Sequence, residues 1–272
     1  SLAPDRSRAI HFCGPVDRTS RAAVVRRAKS VKVSRRESTL RRELAAHIGI
    51  SRMARISGLD RSGIEVVAAV RPGGHILQTT QGKGLSLADA EWGALGEALE
   101  LHAAEHPKHE DLIFGPPAID SVISAGDECI AWTRVESLGA SRAGLVPAEL
   151  VYCPRPGAVW LGPSSFQWTS NGMGAHSVSR EAALDHSVCE LVERDAVARM
   201  LPNGFTPEAA RAYLVESPQF VKDLSVHGFL GFIFDVTPAN SRLQIAASLI
   251  FDVDGGPVPL TAGYACRRSF GD

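Results

Sequence analysis

The clearest pattern in the chain is an apolar run that stops at a turn sequence. The run from Ile64 to Val70 precedes Pro72-Gly73-Gly74, and the stretch Ile76 to Thr80 follows the turn. β-Branched residues on both sides of a Pro-Gly turn are typical of a hairpin. The pattern predicts two paired strands within a β-rich segment that covers residues 47–81.

Two longer stretches carry helical signals. Ser86 is a suitable N-cap residue because Asp89 lies three positions later, so a helix of about 20 residues is predicted to run from there to His106-Pro107. A second long helix is predicted from about Ser179 to Met200.

The remaining segments predict short elements without a regular βαβ alternation. They are the strands Cys129–Trp132, Ala158–Leu161, Gly228–Val236 and Gln244–Asp252, the polar loop Gln167–Gly174 and a short helix over residues 205–224. Strands and helices that do not alternate regularly favour an α+β fold over a doubly wound sheet.

The composition is that of an ordinary globular protein. The chain has 272 residues, of which 44% are hydrophobic and 22% charged, and its net charge is −1, which gives no overall attraction to nucleic acid or membranes. No apolar stretch reaches the length of a membrane span. Five scattered cysteines predict neither a zinc site nor a disulfide framework, and they favour a reducing cytoplasm.

One segment departs from this average. Residues 21–42 carry nine Lys or Arg against a single acid, Glu37, and the chain is therefore divided into a basic arm or helix over residues 1–46 and a catalytic domain over residues 47–272. A nucleic-acid-binding arm is possible, but the segment has no interleaved aromatic residues. A solvated helix face or a surface that meets an acidic peptide is favoured.

Two pairs of glutamates are the candidate chemistry. Glu97 and Glu100 lie on the first predicted helix, and Glu190 and Glu193 lie on the second. Residues three apart share a helix face with Cβ atoms about 5–6 Å apart, so the charges repel unless a cation neutralises them. Carboxylate oxygens suit Mg²⁺. The alternative for an isolated pair is a solvated helix face.

Four motifs in one order resemble the YcaO-domain family over residues 48–272. They are Gly82-Lys83-Gly84, the Glu97/Glu100 helix, Ser170-Asn171-Gly172-Met173 and the stretch from Glu190 to Ala196. Three further stretches are similar to the subgroup found with TfuA partner proteins: Gly49 to Asp60, Val70-Arg71-Pro72 and Glu100 to Glu105.

The resemblance implies a fold and an activity. The fold is α+β, with mixed curved sheets and long helices that line a central nucleotide site. The activity is ATP- and Mg²⁺-dependent phosphorylation of a backbone amide oxygen in a peptide or protein substrate. A neighbouring side chain then gives an azoline, and external sulfide gives a thioamide. A TfuA-like partner and a homodimer are also implied.

The resemblance also assigns residues. Glu97, Glu100, Glu190, Glu193 and Glu181 are the metal ligands, and the nucleotide contacts are Lys83, Ser170, Asn171, Gly172, Arg194 and Arg71. No catalytic residue is assigned, since His102 and His186 are more simply packed or solvent-facing. The motif is not a Walker A loop, because G-x-x-x-x-G-K-[ST] is absent.

Two departures from the family pattern favour an alternative. The family's further ligand lies eight residues before Glu190, where this chain has Ala182, and Glu181 in a regular helix would point about 180° away from Glu190. A family helix expected after Asp272 is also missing, which predicts an exposed apolar patch near the Gln244–Asp252 strand. A degenerate domain that binds a peptide or partner without ATP turnover is the alternative.

Overall fold

The computed structural model describes residues 35–59, 61–116, 129–139, 142–163, 166–176, 179–200, 214–215 and 219–268. Residues 1–34 of the basic arm, most of the helix predicted over residues 205–224 and the segment after residue 268 lie outside the described residues. Helices and antiparallel sheets occur together without βαβ alternation, as expected for an α+β fold.

The described elements are numbered in chain order. The helices are α1 (Arg35–His47), α2 (Leu87–Glu105), α3 (Arg180–Met200) and α4 (Gln219–Asp223). The strands are β1 (Arg52–Arg55), β2 (Glu65–Val70), β3 (Thr79–Gly84), β4 (Ile113–Gly115), β5 (Ile130–Glu136), β6 (Ala143–Pro147), β7 (Leu214–Val215), β8 (Phe229–Asp235), β9 (Gln244–Asp252) and β10 (Leu260–Arg267).

The predicted hairpin and the first long helix form one packed unit. Strands β1, β2 and β3 make an antiparallel sheet in that order, and Val67 and Ala69 of β2 pack against Ala90 and Ala94 of α2. The Ser86 side chain caps α2 by accepting a hydrogen bond from the Asp89 N–H. Both the hairpin and the N-cap are therefore confirmed.

The second strand of the hairpin differs from the prediction. It begins at Thr79, not Ile76, and Gly82-Lys83-Gly84 lies within it and not in a loop. A Cβ atom on Gly82 would lie 2.0 Å from the carbonyl oxygen of Ala90 and 2.2 Å from the nitrogen of Ala94. Glycine at this position thus serves the close packing of β3 on α2.

The far end of α2 is fixed to the turn of the hairpin by a buried ion pair. The Arg71 Nη1 donates to a Glu105 oxygen at 2.5 Å, and the other Glu105 oxygen accepts the N–H groups of His75 and Ile76, each at 2.7 Å. Arg71 is 3% exposed. The positive charge of Arg71 is therefore neutralised by Glu105 inside the fold.

Helix α1 is the described part of the basic arm, and it packs on α2. Arg41 forms an ion pair with Glu91 and lies over the Trp92 ring, whose Nε1 donates to Glu37 at 2.7 Å. Part of the basic run therefore serves intramolecular packing.

The middle of the chain forms a second antiparallel sheet in the order β4-β5-β6. The prediction of a strand at Ala158–Leu161 is wrong, because these residues form a turn and an irregular segment. Their apolar side chains pack instead: Val159 and Leu161 cover the buried Ala131, and the Leu161 carbonyl accepts the Ala131 N–H at 2.8 Å.

The third sheet carries the second long helix. Its strands follow the order β10-β9-β8-β7, and Ile245 and Cys266 pack against Cys189 and Ala196 of α3. Strands β8 and β9 match the prediction, whereas β10 was not predicted. Arg61, which lies ahead of β2, joins this sheet to the first through ion pairs with Asp252 and Asp254.

Two expectations for the last third of the chain have different outcomes. The short helix expected over residues 205–224 is partly wrong, since Leu214–Val215 is a strand that pairs with β8 and helix α4 begins only at Gln219. For the second, Leu230, Phe251 and Leu260 are apolar neighbours on adjacent strands, with 41%, 37% and 48% of their surface exposed, and the missing helix from which a patch was expected stays a prediction. No helix among the described residues is long and apolar enough to cross a membrane.

The contact between β3 and α2 generates a stability prediction. Gly82→Ala is expected to lower the free energy of unfolding by at least about 3 kcal/mol, because the new methyl group meets backbone atoms that cannot move aside. Chemical denaturation measures the change. The control is Gly73→Ala, whose Cβ would have nothing within 4 Å and should change stability by less than about 0.5 kcal/mol. Equal effects of the two substitutions would contradict this packing.

Candidate functional site

The two helices bring their glutamates into one electrostatic group. The pKa of Glu100 on α2 is raised to about 7, chiefly by burial and also by the charges of Glu190 on α3 and of Glu97, against the lowering effect of the Ala175 N–H. The charge of Glu190 also raises the pKa of Glu193 on the same helix. Carboxylates from two separate segments therefore share one region of the molecule.

The loop before α3 connects the two helices through backbone hydrogen bonds. The Gly172 N–H donates to Glu190 at 3.1 Å, and the Ala175 N–H donates to Glu100 at 2.8 Å. Gly172 has a φ of +80°, and a Cβ atom there would lie 2.8 Å from the Leu191 side chain. Glycine is thus needed both for the backbone conformation and for the close approach of the loop to α3.

Two strands hold the remaining glutamates. The Gln81 N–H of β3 donates to Glu97 at 2.9 Å. The Cys266 N–H of β10 faces the carboxylate of Glu193 and stabilises its charge. Each of the four predicted glutamates therefore meets a backbone N–H from a strand or loop outside its own helix.

The charge of Glu193 results from opposing influences. Burial raises its pKa, the neighbouring Arg194 lowers it, Glu190 raises it, and Arg267 and the Cys266 N–H lower it. Arg194 also lies 3.5 Å from a Glu190 oxygen. Two guanidinium groups consequently border the carboxylates of α3, and Arg267 was not among the residues predicted from the sequence.

The other predicted nucleotide residues lie around this group in different ways. Lys83 is exposed on β3, and by strand alternation its side chain is on the face opposite to Gly82 and α2. Ser170 and Asn171 are exposed in the loop, where the Asn171 N–H donates to the Thr169 hydroxyl at 3.2 Å. The side chains of Ser170 and Asn171 are thus accessible to a ligand.

Arg71 and Glu181 are not brought into the group. Arg71 is buried against Glu105 at the end of α2. Glu181 is fully exposed in the first turn of α3, and its own backbone N–H and the Ser179 hydroxyl lower its pKa. The helix begins regularly, with the Ser179 hydroxyl accepting the Ala182 N–H, so Glu181 keeps the direction away from Glu190 that a regular helix gives it.

The residue types of the site suit a hard cation, but their side chains are not positioned to coordinate one. Carboxylate oxygens are the preferred ligands of Mg²⁺, and Glu97, Glu100 and Glu190 each use one oxygen for a backbone N–H. Among the described residues, no three His, Cys, Asp or Glu side chains lie in an arrangement that could hold a metal ion. Coordination therefore requires rotation of these side chains.

Sequence reasoning missed the groups that hold the glutamates. Backbone N–H groups carry no residue signature, so neither Gln81 nor Ala175 was identifiable. The glycines of the Gly172 and Gly174 pair were the available signal: a Cβ on Gly174 would lie 2.2 Å from the Ala183 carbonyl oxygen, which indicates a backbone pressed onto α3. Arg267 followed an unpredicted strand and had no signal of its own.

Comparison with known proteins gives one family match. A model of the family described as YcaO cyclodehydratase, ATP- and Mg²⁺-binding, matches residues 81–271. An uncharacterized protein of Methanothermobacter thermautotrophicus is 32% identical over 164 residues, which are 55% of this chain and 42% of that protein. An uncharacterized protein in the tfuA 3′ region of Rhizobium leguminosarum bv. trifolii is 32% identical over 165 residues, which are 55% of this chain and 38% of that protein. The match thus spans less than half of these relatives.

Solved structures share the fold. The structure of YcaO from Methanopyrus kandleri bound with AMPPCP and Mg²⁺ is similar with a TM-score of 0.64 and 21% identity, over 85% of this chain and 62% of that one. A heterocyclase in complex with substrate and cofactor gives a TM-score of 0.59 and 16% identity, over 84% and 37% of the two chains. The α+β fold predicted from the sequence is confirmed by these likenesses.

The raised pKa of Glu100 generates a pH prediction. Between the ordinary value of 4.5 and about 7, the folded protein holds a proton that the unfolded chain has released, so the free energy of unfolding falls as the pH rises through this range. Glu100→Gln should make that fall smaller. Urea denaturation at a series of pH values, in chelator, measures the slope.

A matched control for this experiment is Glu43→Gln, which removes an exposed carboxylate from α1. Its slope between pH 4.5 and 7 should follow that of the unaltered protein. If Glu100→Gln also follows the unaltered protein, the carboxyl of Glu100 is not held in the protonated form by its surroundings.

Proposed function

The chain belongs to the YcaO family, described as ATP- and Mg²⁺-binding cyclodehydratases, and we propose that it uses ATP and Mg²⁺ to activate a backbone amide of a peptide or protein. The observation that carries this proposal is that the short loop before α3 donates N–H groups both to Glu100 of α2 and to Glu190 of α3. The charges of Glu190 and Glu97 also raise the pKa of Glu100, which supports a shared space for the acids of the two helices.

The free carboxylate oxygens support a metal-binding role for Glu97, Glu100, Glu190 and Glu193. A backbone N–H occupies one oxygen of Glu97 and one of Glu100, and within the part of the chain that the structure describes no hydrogen bond reaches the second oxygen of either. Since the N–H groups fix the position of each carboxylate without consuming it, the glutamates can turn toward a cation with little change in the helices. Glu181 is left out of this proposal because it is exposed at the start of α3.

The reaction depends on positioning and charge. An amide oxygen is a weak nucleophile, so its attack on the γ-phosphorus of ATP needs alignment and neutralisation more than covalent help from the protein. Mg²⁺ held by Glu97, Glu100, Glu190 and Glu193 would supply positive charge to neutralise the phosphates. Arg194, beside Glu190, is a proposed phosphate contact, and so is Lys83, whose long side chain has to reach around the edge of β3 because it starts on the face opposite to α2. The loop with Ser170 and Asn171 is the proposed contact for the rest of the nucleotide. Arg71 is not included, since Glu105 takes up its charge.

The bond between the amide carbon and the phosphorylated oxygen is then broken. A nucleophile adds to the amide carbon, and the phosphorylated oxygen departs as inorganic phosphate. We propose thioamide or azoline formation as the outcome, on a peptide substrate and with a TfuA-like partner. One relative is encoded in a tfuA 3′ region, which supports a TfuA-like partner. Another neighbour is the E. coli microcin synthetase McbBCD complex, which supports assembly with partner proteins. A homodimer completes this proposal.

A second function is favoured by one observation. The family ligand position holds Ala182, and the neighbouring Glu181 is exposed in a regularly capped first turn. A domain with one ligand fewer would bind a peptide or a partner and leave ATP unhydrolysed. Titration calorimetry of the full chain with ATP and Mg²⁺ tests the first function, which an absence of binding would refute. A phosphate-release assay then separates the two functions, because the second predicts no release on addition of ATP.

Substitution of the α3 glutamates tests the proposed function. Glu190→Gln or Glu193→Gln is expected to abolish Mg²⁺-dependent binding of ATP and phosphate release. The glutamine side chain is neutral and lacks the negative charge that a hard cation requires. Thermal stability should stay equal or rise, since a repelling charge is removed. Calorimetry and a phosphate-release assay measure the effects.

Asp195→Asn serves as the control on the same helix. Asp195 is exposed and pairs with Arg199 at 2.9 Å, so its substitution removes one negative charge from α3 without touching the glutamate group. It should bind ATP as the unaltered protein does. Unchanged ATP binding and turnover in both glutamate variants would refute their role as metal ligands.

A further inference from the structure

We propose that Arg267 is a phosphate-binding residue that makes the site select a nucleoside triphosphate over a monophosphate. This inference deepens the proposed function and rests on it. Neither the sequence motifs nor the glutamate helices point to Arg267. It follows from the way the edge strand β10 meets α3.

The hydrogen-bonding pattern of β9 shows which way Cys266 faces. Cys266 is opposite Ile245 in the β10–β9 pair. The Ile245 N–H donates to the Thr237 hydroxyl, and its carbonyl accepts the Val236 N–H, so both groups point toward β8. In an antiparallel ladder such a pair is non-hydrogen-bonded. Cys266 therefore directs its own N–H and carbonyl to the outer edge of the sheet.

Both backbone groups of Cys266 are engaged at that edge by charged side chains. Its carbonyl accepts the Arg267 Nη1 at 2.7 Å. Cys266 packs against Cys189 and Ala196, which lie on either side of Glu193 along α3, so its N–H lies close to the Glu193 carboxylate and stabilises its charge. Because the N–H and the carbonyl of one residue in an extended strand point the same way, the Arg267 guanidinium lies beside Glu193. The side chain wraps around the strand edge to reach this position, although Cys266 itself is buried against Cys189.

This position gives the guanidinium a free face. One nitrogen is used by the Cys266 carbonyl, and the residue is exposed, which leaves further N–H groups for a ligand. A planar guanidinium suits two oxygens of a phosphate. If a cation took up the negative charge of Glu190 and Glu193, Arg267 would no longer be needed as their counter-charge. Its guanidinium would then be free to pair with the phosphates of a nucleotide bound beside them.

The neighbouring Arg268 provides an internal contrast. Its guanidinium donates to both oxygens of Asp185, each at 2.8 Å, so it is held at the first half of α3, away from Glu190 and Glu193. Two consecutive arginines of the same strand end thus have separate positions, and only Arg267 borders the glutamate group.

The test is titration calorimetry of the full chain with AMPPCP and with AMP, each with Mg²⁺. Arg267→Ala is expected to weaken AMPPCP binding by about 10- to 100-fold, as loss of hydrogen bonds to a charged group predicts. AMP binding should change by less than about threefold, since the β- and γ-phosphates are absent. Arg267→Lys, which keeps the charge without the planar fork, should recover part of the loss.

Arg268→Ala is the control, expected to bind AMPPCP within about twofold of the unaltered protein, and a thermal melt confirms that each variant is folded. Unchanged AMPPCP binding by Arg267→Ala, or an equal loss for AMPPCP and AMP, overturns the role of Arg267 while the proposed function stands. If the unaltered protein does not bind AMPPCP with Mg²⁺, both the proposed function and this inference are overturned.

Discussion

Acidic side chains that two helices bring into one region repel one another when they are ionised, and in this protein backbone N–H groups oppose that repulsion. Gln81, Gly172, Ala175 and Cys266 each direct an N–H toward one glutamate. A backbone donor is fixed by the strand or loop that carries it, so it holds a carboxylate in place at small entropic cost. The packing of β3, the Gly172 loop and β10 on the helices is therefore a requirement of the site.

The positive charges divide into two sets with different tasks. Arg41, Arg61 and Arg71 form ion pairs that join separate elements, namely α1 to α2, the first sheet to the third, and the hairpin turn to the end of α2. Arg194 and Arg267 border the glutamates instead. Because the net charge of the chain is close to zero, this division is invisible in the composition and depends on where each guanidinium lies.

Much of the fold was predictable where local signals agree. The Ser86 cap and the long α2 pattern gave a helix that the structure confirms, and α3 begins within one residue of its predicted start. Strand predictions were weaker because short apolar runs do not distinguish strand from packed loop: residues 158–161 are irregular, and β10, with its small and polar residues, was missed. The glutamates were identified from their spacing, but their partners were not, because a hydrogen bond from a main-chain N–H depends on the tertiary fold and not on residue type.

The arrangement of donors along the chain has a consequence for folding kinetics. Strand β3, which carries Gln81, and strand β10, which carries Cys266, lie near opposite ends of the sequence segment that forms the site. The ion pairs of Arg61 with Asp252 and Asp254 also join residues that are distant in sequence. Contacts between remote parts of a chain form slowly, since a long loop must close before they are made. The donors carried by the most distant strands are therefore expected to be the last to reach the acids of α2 and α3.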